Sequence, residues 1–215
     1  MKIGARKRLL FIGDSVTDVG RVQPIAEGLF NPLGQGYPAI INGFLTAVYP
    51  ERMIHVINMG TSGNTVRDLK NRWQRDVLDL SPDWVSLMIG FNDVWRQFDS
   101  PTMPQAAVGL EEYAATLEEL VSATLPRLEG MVLMSPYYLE ANEADLMRAR
   151  MDQYRAVCAD IASRYPVIYI DTQKVMLELI QSCHSSYFSW DRVHPNFPGH
   201  CALARAFLKA IDFKF

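Results

Sequence analysis

The chain has little cysteine, little net charge and no long apolar run, and each shortage removes a class of protein. Its three cysteines, Cys158, Cys183 and Cys201, are widely spaced, odd in number and form no Cys-x-x-Cys pair. That pattern argues against a disulfide-stapled secreted fold and predicts free thiols in a reducing cytoplasm. With 21 basic and 24 acidic side chains the net charge is −3, so there is no electrostatic case for nucleic acid or an anionic membrane. No stretch approaches the ~20 apolar residues of a membrane span. The basic start, Met1 to Arg8, leads into an apolar run of only Leu9 to Ile12, whereas a secretory core needs roughly 7–15 such residues. His-x-x-x-His and Cys/His clusters are missing, so neither a metal nor a cofactor is expected. Gly-x-Ser-x-Gly is missing too, which disfavours the α/β-hydrolase elbow.

What is present suffices for one core. A chain of 215 residues that is 49% hydrophobic predicts a single domain over 1–215, with no repeats or linkers. Strand-like runs at Leu9–Gly13, Met53–Asn58, Trp84–Ile89, Met131–Ser135 and Val167–Asp171 alternate with helical patterns. From Thr65 to Leu80, for example, Val66, Leu69, Trp73, Val77 and Leu80 recur at three- and four-residue steps. Glu111–Leu125, Asp145–Arg164 and Pro198–Ile211 read the same way. Five strands interleaved with helices predict an α/β fold, a five-stranded parallel sheet in a three-layer α/β/α sandwich. The long Pro- and Gly-bearing segment from Gly20 to Gly36 is expected to wall a substrate site.

The chemistry is carried by four blocks. Ser15 ends the run Leu9-Leu10-Phe11-Ile12-Gly13-Asp14-Ser15, at the carboxyl edge of a buried strand. Asp191 and His194 stand three residues apart on one loop near the other end of the chain. A nucleophile, a base and a carboxylate to orient the base are the roles of a serine hydrolase. Between them lie Asn58-Met59-Gly60-Thr61-Ser62-Gly63-Asn64 and Gly90-Phe91-Asn92-Asp93, each just beyond an apolar strand. Strand carboxyl ends converge on the crevice of an open parallel sheet, so Ser15, Gly63 and Asn92 are expected to meet. The Gly63 N–H and the Asn92 amide would then hold a developing oxyanion.

These blocks resemble those of the GDSL, or SGNH, hydrolases. Ser15, Gly63, Asn92 and His194 supply the four letters in order, within Gly-Asp-Ser, Asn-x-Gly-x-x-Gly, Gly-x-Asn-Asp and Asp-x-x-His-Pro-Asn-x-x-Gly-His. Val16 stands where the name-giving leucine often sits. The resemblance runs from about Ile3 to Phe207. Gly63–Leu69, Asn92–Arg96 and Trp190–Pro195 look more narrowly like intracellular acetylxylan esterases of bacteria. It implies a flavodoxin-like sheet, a catalytic set of Ser15, Asp191 and His194, and an oxyanion hole from Ser15, Gly63 and Asn92. It also implies a cytoplasmic serine esterase acting on O-acetylated xylo-oligosaccharides through an acyl-enzyme. Rival readings are a thioesterase, lysophospholipase or short-chain lipase of the same fold and, last, a non-catalytic carbohydrate-binding protein.

Other residues have bland readings beside the functional ones. Asp14 is expected to cap its turn, His200 to pack, and His55 to be a satisfied strand histidine. Trp190, Trp95 and Arg96 are candidate substrate contacts; Trp73 is a weaker one, and Arg21 could equally face solvent. The partner implied is a small acetylated sugar, with no nucleic acid or membrane. A homo-oligomer is left open, since nothing in the sequence locates a subunit interface.

Overall fold

The computed structural model describes Met1 to Lys214. Its strands are Arg8–Gly13 (β1), His55–Asn58 (β2), Trp84–Met88 (β3), Gly130–Met134 (β4) and Ile168–Ile170 (β5), all paired in parallel in the order β2-β1-β3-β4-β5. The helices are Ser15–Asp18 (α1), Tyr37–Val48 (α2), Val66–Trp73 (α3), Phe91–Asp99 (α4), Leu110–Thr124 (α5), Leu146–Arg164 (α6), Thr172–Ile180 (α7) and Phe197–Ala210 (α8). β1 and β3 are buried almost throughout, as strands covered on both faces must be. One layer packs α2 against α8 and α8 against α7; the other runs from α3 through α5 to α6. Phe11 on β1 meets Tyr37 of α2 edge-on at 5.5 Å and Phe207 of α8 at 5.2 Å. Aromatic pairs of this kind contribute about 0.5–1.5 kcal/mol beyond their buried area.

The chain goes from β1 to β2 on one side and then crosses to β3 on the other. That reversal makes a switch point between β1 and β3, where the carboxyl ends leave a crevice. Ser15 follows β1 and Asn92 follows β3, so both border it.

The five expected strands and their parallel order are observed, with ends shifted by one or two residues. The expected helix from Thr65 to Leu80 is interrupted. Thr65 caps α3 through a capping box with Asp68, but from Gln74 to Leu78 the helix widens into a π turn, closed by Asp79 N–H on Gln74 O at 2.8 Å. A periodicity of apolar residues does not register such a change. Trp73 is core: it is buried and its indole N–H donates to Thr124 Oγ1 at 2.9 Å, which removes it as a sugar contact. His55 lies on the exposed edge of β2 and pairs with Glu27 at 2.9 Å.

Candidate active site

Ser15 opens α1. The Asp14 carboxyl group caps that helix through Val16 N–H at 3.1 Å, which sets the Ser15 side chain at the carboxyl end of β1. The Oγ of Ser15 lies 2.7 Å from His194 Nε2, and His194 Nδ1 lies 2.6 Å from Asp191 Oδ2. The other oxygen, Asp191 Oδ1, accepts from Ser189 Oγ at 2.9 Å and from the backbone N–H groups of Val193 and His194 at 2.9 and 2.8 Å. Burial pushes the Asp191 carboxyl upward, but the hydrogen bonds from His194, Val193 and Ser189 prevail and hold it below the usual range. A carboxylate that stays ionised is what an imidazole ring needs as its orienting partner.

The loop bearing both residues is tied to the body at several points. Tyr137 donates its hydroxyl to Val193 O at 2.9 Å, Leu139 N–H donates to Arg192 O at 2.9 Å, and Arg192 pairs with Glu140 at 2.8 Å. Arg192 itself adopts a left-handed conformation, φ 66°, which turns the loop between the acid and the base.

The second block turns tightly beside the serine. Gly60 passes so close to α1 that a Cβ there would lie 2.4 Å from Asp18 N, so the turn has room only for glycine. Gly63 has φ 82°, the region that glycine enters without strain. Asp18 fastens the same turn by accepting from Ser62 N–H and Oγ at 3.0 and 2.8 Å. Asn92 is buried in the first turn of α4, and its amide donates to Asn64 O at 3.0 Å. An amide nitrogen carries two hydrogens, so that bond orients the group and leaves a second donor. Arg96 Nη2 donates to Asn92 Oδ1 at 3.3 Å, which fixes which end of the amide is which.

Asp93 explains why an acid follows Asn92. Its Oδ1 accepts the Val66 N–H at 2.9 Å and so joins the start of α3 to α4 beneath the site. Burial pushes Asp93 up to about 7 and Asp14 up to about 8, both lying fully inside the protein. His200 is buried as expected, and burial together with the nearby His194 lowers it to about 4.

The aromatic and basic candidates separate. Trp190 is 88% exposed beside Asp191, and Trp95 lies 5.6 Å from the His194 ring. Arg96 is engaged by Asp99 and Asn92 and lies 5.8 Å over the Trp95 ring, so it braces the amide. Arg21 is not at a solvated rim. It is buried, donating to the carbonyls of Gly60, Val22 and Pro24. The segment from Gly20 to Gly36 contributes Arg21, Gln23, Pro24 and Ile25 to a cavity of about 610 Å³ that reaches Thr61 and Asn64, beside the glycine turn. Among the described residues, no helix is long and apolar enough to cross a membrane.

A model of the GDSL-like lipase/acylhydrolase family matches residues 11–202. The chain belongs to that family. An acetylxylan esterase from Geobacillus stearothermophilus is 53% identical over 215 residues, covering 100% of this chain and 98% of that protein. The solved structure of Axe2, an acetylxylan esterase from the same organism, matches with a TM-score of 0.98 over 100% of this chain and 98% of its own, at 53% identity. LAE5, described as an alpha/beta hydrolase enzyme from the metagenome of Lake Arreo, Spain, matches at 0.96 and 48% identity, covering 99% of this chain and 98% of its own. Three further structures of Axe2, described as catalytic mutants, carry S15A, H194A and D191A.

Proposed function

We propose that this chain is a serine esterase that removes O-acetyl groups from xylo-oligosaccharides or related acetylated sugars, in one domain over residues 1–215. The observation that carries the reading is the unbroken relay from Ser15 Oγ through His194 to Asp191, at 2.7 and 2.6 Å. His194 Nε2 takes the hydroxyl proton as Oγ bonds to the acetyl carbonyl carbon. Negative charge moves to the carbonyl oxygen, within reach of the Ser15 and Gly63 N–H groups and the second hydrogen of Asn92. The carbon–oxygen bond to the sugar then breaks, and the sugar hydroxyl leaves with the proton held by His194. Water repeats the sequence on the acyl-enzyme and releases acetate.

Similarity to the Geobacillus enzyme supports the acetyl-sugar substrate. Its three catalytic mutants carry the residue types and numbers of this chain's relay, which supports those roles. Trp190 and Trp95, beside the acid and the base, offer flat apolar faces on which a sugar ring stacks. Three unpaired cysteines, Cys158, Cys183 and Cys201, support a cytoplasmic setting.

The test is acetate release from acetylated xylo-oligosaccharide by the wild type and by Ser15→Ala. Release by the wild type alone is expected. Release by both removes Ser15 as nucleophile, and release by neither removes the acetyl-sugar substrate.

A further inference from the structure

Arg72 has no part in the relay or among the three oxyanion donors, yet its guanidinium touches what holds both. Nη2 donates to Gly13 O at 3.0 Å, at the end of β1 and two residues before the serine. Nε donates to Asn64 Oδ1 at 2.7 Å, one residue after Gly63 and on the residue whose carbonyl orients the Asn92 amide. Nη1 donates to Met59 O and to Asp76 Oδ2, both at 2.8 Å. Its side chain is 10% exposed and that of Asp76 is 5%.

Counted by sequence spacing, Arg72 and Asp76 are an ordinary pair one helical turn apart on a charged helix. In space they lie where α3 opens into the π turn, with the pair facing inward. Arginine suits this position because its planar fork donates in several fixed directions at once, which the ammonium of lysine does not. Burial lowers the Arg72 pKa and Asp76 opposes that; the guanidinium stays charged and has a carboxylate beside it.

We propose that Arg72 is a positioning residue for catalysis, locking the Gly63–Asn64 turn to the end of β1 so that the oxyanion donors and the Ser15 hydroxyl keep one fixed spacing. The inference rests on the esterase reading above. Oxyanion donors act over 2.7–3.1 Å, and a displacement of about 1 Å can cost on the order of 10²-fold in rate. Substrate in the ground state does not use those donors fully, so the loss belongs in kcat and not in KM.

The experiment compares Arg72→Lys, Arg72→Met and Asn64→Ala, with kcat expressed per active site titrated by a fluorophosphonate on Ser15. The affinity of a small alkylboronic acid is measured beside it, because its tetrahedral adduct on serine engages the oxyanion hole. Expected is a loss of about 10- to 100-fold in kcat at unchanged KM, with boronate affinity falling in step and lysine giving no rescue. The Arg72→Met/Asn64→Ala double variant should lose little more than Arg72→Met alone, since both remove the same lock. Wild-type kcat per titrated site and wild-type boronate affinity would overturn the proposal, whatever happens to the melting temperature. Where the Arg72 variants do not fold, Asn64→Ala decides alone, because it removes one side-chain contact and leaves the carbonyl to Asn92. A chain that resists the fluorophosphonate and keeps activity as Ser15→Ala fails the esterase reading instead.

Discussion

Ser15 and His194, 179 residues apart in the chain, share a hydrogen bond of 2.7 Å. The bond exists because β1 and the loop before α8 both end on the crevice side of the sheet. It makes the ring's orientation decisive, and Asp191 controls that orientation through Nδ1 while its second oxygen holds the loop.

Asp191→Asn should therefore fold, since an asparagine Oδ1 can still accept from Val193 and Ser189. Its amide would face Nδ1 with hydrogens and favour the wrong tautomer. Expected is a drop of about 10⁴ in kcat. Steady-state kinetics with circular dichroism as a folding control checks it; near-normal turnover would mean that another carboxylate orients His194.

Asn92→Ala removes the side-chain donor and leaves the relay untouched. Loss of one such donor costs on the order of 10²–10³ in kcat. Fluorophosphonate labelling of the variant should still reach completion, showing that Ser15 stays activated. A raised KM at unchanged kcat would assign Asn92 to substrate binding.

Folding stability should depend on pH through Asp14 and Asp93. Burial raises these carboxyls to about 8 and about 7, from an ordinary value of 3.8. The folded chain thus holds protons that the unfolded chain releases, so the contribution of these two groups is full below pH 3.8 and is lost as pH rises through the folded values. His200, lowered to about 4, acts in the opposite sense, but only below its ordinary 6.5. Between pH 6.5 and 8 the melting temperature should fall with pH, and Asp93→Asn should flatten that fall. A slope unchanged by Asp93→Asn would show that Asp93 does not titrate there.

Activity should survive chelation. Among the described residues no three His, Cys, Asp or Glu side chains are grouped to hold a metal ion, and the proposed steps move protons through His194 alone. Dialysis against EDTA followed by an acetate-release assay checks this; inhibition reversed by added metal would displace the serine mechanism.

The strands, their parallel character and the residues that form the Ser15–His194–Asp191 hydrogen bonds were legible because they lie in short local patterns: apolar runs that end in glycine, and an acid three residues before a histidine. Asn92 was legible as a candidate donor, but what holds its amide was not. Asn64 reaches it from a turn placed by tertiary packing, and Arg96 from one turn further along α4, a spacing that does not say which group the guanidinium meets. The buried placement of Arg72 and Arg21 was not legible, because the sequence does not reveal which carbonyls lie beside them. The π turn after Trp73 was hidden for the same reason, since apolar spacing continues through it while the backbone hydrogen bonds change.

The parallel sheet also divides the molecule into a working rim and an idle one. Every proposed catalytic group comes from the carboxyl side of the strands, while the turn from Leu125 to Glu129 enters β4 from the amino side, with Pro126, Arg127 and Glu129 exposed. A surface tether, a fluorescent label or a fused partner placed there would leave the crevice open, whereas the same cargo on the Gly20–Gly36 segment would stand over the cavity beside the glycine turn.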